Sequence, residues 1–75
     1  MEDPELLTMQ TAYKAAVEEW IKAIRAEEDL ASGEPTLAQV DDWEHAHFKE
    51  DEARNRVIKA KKDYEEAIRE KLFRF

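Results

Sequence analysis

The sequence predicts an all-α fold, an antiparallel two-helix hairpin dimerising into a four-helix bundle. Three observations carry this. Apolar residues recur at steps of three and four in both halves of the chain, the period of an amphipathic helix. The only Gly and one of the two Pro fall together in Ser32-Gly33-Glu34-Pro35, which marks the one break. The stretch from Thr36 to Phe75 then continues with neither residue. As a helix rising ~1.5 Å per residue it would be about 55–60 Å long, more than a compact monomer of this size can cover. The chain of 75 residues reads as a single helical-hairpin domain, with helix 1 at about 4–31, the turn at 32–35 and helix 2 at about 36–74.

Helix 1 has a start signal in Asp3-Pro4-Glu5. Asp3 can cap free N–H groups, Pro4 suits the first helical position, and Glu5 opposes the helix dipole. Leu6, Tyr13, Val17, Trp20 and Ile24 form its apolar stripe, widened by Leu7, Ala12 and Ile21, and Glu18 is spaced to pair with Lys22. Gly33 can take the left-handed conformation that ends a helix, and Pro35 cannot continue one. Thr36 with Gln39 reads as a capping box for helix 2. The seam of helix 2 reads Val40, Trp43, His47, Glu50, Arg54, Val57, Lys61, Tyr64, Ile68, Leu72, Phe75. It is apolar at both ends and polar at His47, Glu50 and Arg54, where register or binding specificity would reside.

A turn centred on Gly33–Glu34 sets Leu30 opposite Leu37, Ile24 opposite Trp43, Trp20 opposite His47, Tyr13 opposite Arg54 and Leu6 opposite Lys61 or Lys62. Helix 1 then runs out near Tyr64. Tyr64, Ile68, Leu72, Phe73 and Phe75 are left without a partner in their own chain, and a second copy is expected to cover them. The expected dimer interface or partner-binding set is therefore Trp43, His47, Phe48, Tyr64, Ile68, Leu72, Phe73 and Phe75. Charge favours an antiparallel dimer. Residues 27–52 hold ten acids against one base, and residues 53–75 hold eight bases against four acids, so the acidic end of one chain would lie toward the basic end of the other.

The net charge of −7 argues against general nucleic-acid affinity. There is no Cys, which excludes disulfides and thiolate chemistry. No apolar run approaches the ~20 residues of a membrane span. The acidic N-terminal Met-Glu-Asp-Pro-Glu is not a signal peptide, so a soluble cytoplasmic protein is the expectation. No nucleophile motif or Gly-rich phosphate loop is present, and a hairpin offers no deep pocket. No enzymatic activity is expected.

One stretch could hold chemistry. Glu44 and His47 form Glu-x-x-His, with Asp51 a turn further on, and the three share a helix face. Carboxylate and imidazole on one face are what iron, manganese and zinc sites use in helical bundles. In motif the stretch resembles the ferritin-like di-metal carboxylate bundles, which implies a divalent metal at Glu44, His47 and Asp51. Glu27 and Glu28 of helix 1 lie less than a turn out of phase with Glu44. Arg54, Arg56, Lys59, Lys61 and Lys62 form a basic window, whose functional reading is a Rop-like hairpin dimer that binds nucleic acid. Local pairing with neighbouring acids accounts for it as well. The leading expectation is a small acidic protein acting through protein–protein contact as a regulator, adaptor or inhibitor. Its partners would be a second copy of itself or a basic protein docking on Trp43, Phe48 and the flanking acids. The metal-binding bundle is the alternative.

Overall fold

The computed structural model describes residues 3–31 and 36–73. Two helices, α1 (Pro4–Asp29) and α2 (Leu37–Leu72), pack against each other as an antiparallel hairpin, with no strand among the described residues. The molecule is a rod, with principal extents of 59 × 18 × 11 Å. The Ser32–Pro35 turn and Phe75 lie outside the described residues.

The helix starts follow from their caps. The Asp3 carboxylate accepts from the backbone N–H of Glu5 at 2.9 Å and of Leu6 at 3.4 Å, and Pro4 opens the helix behind it. At α2 the Thr36 hydroxyl accepts from the Gln39 N–H at 3.1 Å. The reciprocal half of the expected capping box is not made. The Gln39 side-chain amide instead donates to the Leu30 carbonyl, which satisfies an orphan acceptor at the end of α1 and ties the two helices beside the turn. The last turn of α2 carries Arg69 and Lys71, cations that suit the negative end of the helix dipole.

The packing seam differs from the expected one. In α2 it follows two rows at seven-residue spacing: Trp43, Glu50, Val57, Tyr64 and Lys71, and Ala46, Ala53, Ala60 and Ala67. Ala53, Val57 and Ala67 are the buried residues, at 5%, 7% and 7% exposure. On the α1 side the rows are Leu6, Tyr13, Trp20 and Glu27, and Met9, Ala16, Ala23 and the C-cap residue Leu30, every one half-buried. These are the a and d rows of a heptad. The expected seam shared the Trp43 row but took Val40, His47, Arg54, Lys61 and Ile68 as its second row. His47, Arg54 and Lys61 are exposed. Both choices have the same three/four periodicity. Alanine wins because it puts no charged group against α1 and lets the backbones approach closely.

The register is also displaced. Trp20 meets Glu50, not His47, and His47 lies beside Glu27. The displacement is about two to three residues at Trp20–Glu50 and six to seven at Glu27–His47 and Asp3–Lys71. Its cause is the tilt of helical side chains toward their own N-terminus. In an antiparallel pair the two tilts point in opposite directions, so touching tips belong to residues further along both helices than backbone geometry alone suggests. The shift shortens the expected overhang. Tyr64 lies with Leu6, Leu7 and Gln10, and Lys71 reaches Asp3 at the start of the chain. Tyr64 and Ile68 are half-buried, and Leu72 and Phe73 remain exposed at 68% and 67%.

Pairs within one helix line the solvent side of α2: Arg54–Asp51, Arg56–Glu52, Lys59–Asp63, Lys61–Glu65 and Arg69–Glu65. Four of the five bases between Arg54 and Lys62 are thereby matched with acids. On α1, Lys22 pairs with Glu19 at 3.5 Å, not with Glu18.

Candidate functional site

The two sides of the hairpin are unlike. One side is charged over small residues, an open hollow where Glu19, Lys22, Asp42, His45, Lys49 and Arg56 surround Ala23, Ala26 and Ala46. The other side is apolar at both ends. Toward the turn, Ile24 of α1 shares a hollow with Trp43, His47, Glu50, Glu27 and Glu28. Val40, Trp43 and Phe48 continue it along α2 with Glu44 and His47. Ile21 adjoins Ile24 on the outer edge of α1. Toward the chain ends, Leu6, Leu7, Tyr64 and Leu72 line a further hollow with Lys71. Leu7, Ile21, Ile24, Val40, Trp43, Phe48 and Leu72 are all exposed. All but Trp43 are exposed because the heptad seam uses a narrow strip of each helix, and apolar residues one step outside it have nothing to pack against; Trp43 lies on the seam and still keeps 42% of its surface exposed.

The expected interface residues therefore separate. Trp43, His47 and Phe48 gather near the turn end, while Tyr64 and Leu72 gather at the other. Phe73 is exposed beyond the last turn of α2.

The expected metal set separates too. His47 Nδ1 lies 4.0 Å from a Glu27 carboxylate oxygen. Glu27, His47 and Glu50 each offer a ligand atom, all within 4.8 Å of one another, with Glu27 and Glu50 half-buried and His47 exposed. Glu44 and Asp51 do not belong to this group. Asp51 is engaged by Arg54, and Glu44 points along the outer flank with Val40 and Phe48. Glu27 was legible from its spacing: it is the next step of Leu6, Tyr13 and Trp20, which places it on the seam. Glu50 lies on the matching row of α2 and its carboxylate accepts from the Trp20 indole N–H at 2.9 Å.

No known family, curated protein or solved structure matches this chain. Among the described residues no helix is long and apolar enough to cross a membrane.

At the far end of the rod, Lys71 Nζ lies 2.8 Å from an Asp3 oxygen and 3.0 Å from a Glu5 oxygen. The hydrogen bond from Lys71, helped by the two cap N–H groups, holds the Asp3 carboxyl below its ordinary 3.8. Asp3 and Glu5 together raise the Lys71 ammonium above its ordinary 10.5.

Proposed function

We propose that this protein acts through protein–protein contact, without catalysis of its own, and that the first occupant of its apolar side is a second copy. The observation that supports this most directly is surface area. The chain exposes 6355 Å². A compact monomer of 8.9 kDa is expected to expose about 4,800 Å². The excess, roughly 1,500 Å² per chain, is what each partner contributes to a large obligate homodimer interface. Core content supports the same reading, because only Ala53, Val57 and Ala67 are buried among the described residues. A folded chain of this length needs further burial to be stable.

Charge and apolar pattern agree on orientation. Stacked antiparallel about a two-fold axis, the Ile24, Val40 and Trp43 end of one chain covers the Leu7, Tyr64 and Leu72 end of the other. The same superposition brings the acidic span 27–52 toward the basic span 53–75. The result is a four-helix bundle with the charged hollow around Lys49 on its outside.

Sedimentation equilibrium at tens of micromolar tests the assembly, and a mass of two chains is expected. The Cys-free sequence allows a single nitroxide label at Lys62→Cys. In mixed labelled and unlabelled dimers it should broaden amides near Val40–His47 of the unlabelled chain. Broadening near Tyr64–Ile68 alone would mean a parallel dimer. A one-chain mass, with a basic helical protein bound at Trp43 and Phe48, would replace self-association by a foreign partner.

A further inference from the structure

We infer that Glu27, His47 and Glu50 form a divalent metal site of the zinc type that staples α1 to α2. All three ligands come from one chain, so the site is complete without the dimer although it lies in the hollow that the second copy is proposed to cover. The first support is the donor set. One imidazole and two carboxylates, contributed by both helices, lie with ligand atoms within 4.8 Å of one another. Imidazole with carboxylate suits zinc and its first-row neighbours, and three protein ligands leave a position for water. Zinc ligands stand ~2.0–2.2 Å from the ion, so the group must close by roughly 1 Å. His47 is free to do so, because its side chain is 62% exposed.

The second support is electrostatic. Among the described residues neither Glu27 nor Glu50 has a Lys or Arg ion pair, whereas Asp51, Glu52, Asp63 and Glu65 all do. Two half-buried carboxylates, one from each helix, thus lie close together beside His47. Two negative charges brought close together repel, and a divalent cation is the counter-charge that turns the arrangement into an attraction. The third support is orientation. The Trp20 indole N–H, 2.9 Å from Glu50 Oε1, fixes that carboxylate from outside the group. A carboxylate has two oxygens, so this bond orients it without using up its capacity to ligate, as outer partners do in metal sites.

The test is calorimetric titration of zinc chloride into chelator-stripped, untagged protein, with histidine side-chain nitrogen spectra recorded in parallel. One zinc per chain is expected. Glu27→Gln and His47→Ala should each weaken binding more than roughly 100-fold, beyond the loss typical of an outer partner. Glu44→Gln and Asp51→Asn should stay within about threefold of the parent, which corresponds to less than a tenfold step in affinity. The His47 ring signals should move and those of His45, in the opposite hollow, should not. Far-ultraviolet circular dichroism confirms that each variant keeps its helices. His47 is exposed, so its loss does not threaten the fold. Absence of binding, or binding that survives Glu27→Gln and His47→Ala but follows His45 or Asp51, overturns the assignment.

Discussion

Ile24 provides the sharpest test of the apolar side. It lies outside the heptad rows, in the hollow with Trp43 and His47, and is 40% exposed. Burying an Ile fully stabilises by ~1.5–3 kcal/mol, so the portion that only a partner can cover is worth about 1 kcal/mol. In a two-fold dimer each substitution counts twice, which makes Ile24→Ala cost about 2 kcal/mol of association, or a ~30-fold rise in dissociation constant. Ile24→Glu adds an unpaired charge facing the partner, so its effect should exceed roughly 100-fold. Sedimentation equilibrium across a concentration series reads both. Lys49→Ala, in the charged hollow on the other side, is the control and should leave the constant unchanged. The reasoning fails if Ile24→Glu dimerises within about threefold of the parent, or if Lys49→Ala weakens the dimer as strongly.

Three further outcomes are expected. Trp20→Phe removes the hydrogen bond to the Glu50 carboxylate. It should lower stability by about 1.5–3 kcal/mol, nearer the lower figure at a half-buried site, in urea melts at fixed protein concentration. Ala53→Leu overfills the alanine row where the backbones approach and should cost about 1–3 kcal/mol, while exposed Asn55→Leu should stay within about 0.5 kcal/mol. The Asp3–Lys71 contact should weaken at both pH extremes. The lowered Asp3 pKa means its contribution is present above the ordinary 3.8 and lost as pH falls through the lower folded value. The raised Lys71 pKa means its contribution is present below 10.5 and lost as pH rises through the higher folded value. In Lys71→Met the Asp3 titration followed by NMR should move up toward 3.8, and an unchanged midpoint would show that the cap N–H groups alone lower it.

The hairpin was legible because its signals are local. Asp3 caps α1 and Thr36 caps α2 through chemistry that spans three residues. Which row of α2 packs was harder to read. The rows Val40-His47-Arg54-Lys61-Ile68 and Ala46-Ala53-Ala60-Ala67 are both compatible with a three/four period, and the large apolar residues at the ends of the first, Val40 and Ile68, draw the eye to it although His47, Arg54 and Lys61 lie between them. Polarity decides it, since a strictly repeated Ala offers a seam with no charge to desolvate. The grouping of Glu27, His47 and Glu50 is not legible in the sequence for a related reason. Glu44, His47 and Asp51 share a face of one helix, whereas Glu27, His47 and Glu50 meet only when two helices are set in a register that depends on side-chain tilt.

The contacts between the helices are graded along the rod in how much chain they enclose. Gln39 and Leu30 are nine residues apart, Trp20 and Glu50 thirty, and Lys71 and Asp3 nearly the whole chain. Closing each larger loop from an open chain costs more entropy, but once the smaller loop has closed the next contact encloses only a few free residues. The hairpin therefore zips, with the Gln39 tie as its first tooth and the Lys71 clasp as its last. Opening runs the other way, so amide protons near Leu6 and Ile68 exchange through short-lived fraying while those near Trp20 and Ala53 wait until the zipper has parted to its middle. Trp20 and Glu50 sit where that protection begins, so their hydrogen bond is the point at which a frayed hairpin still holds its register.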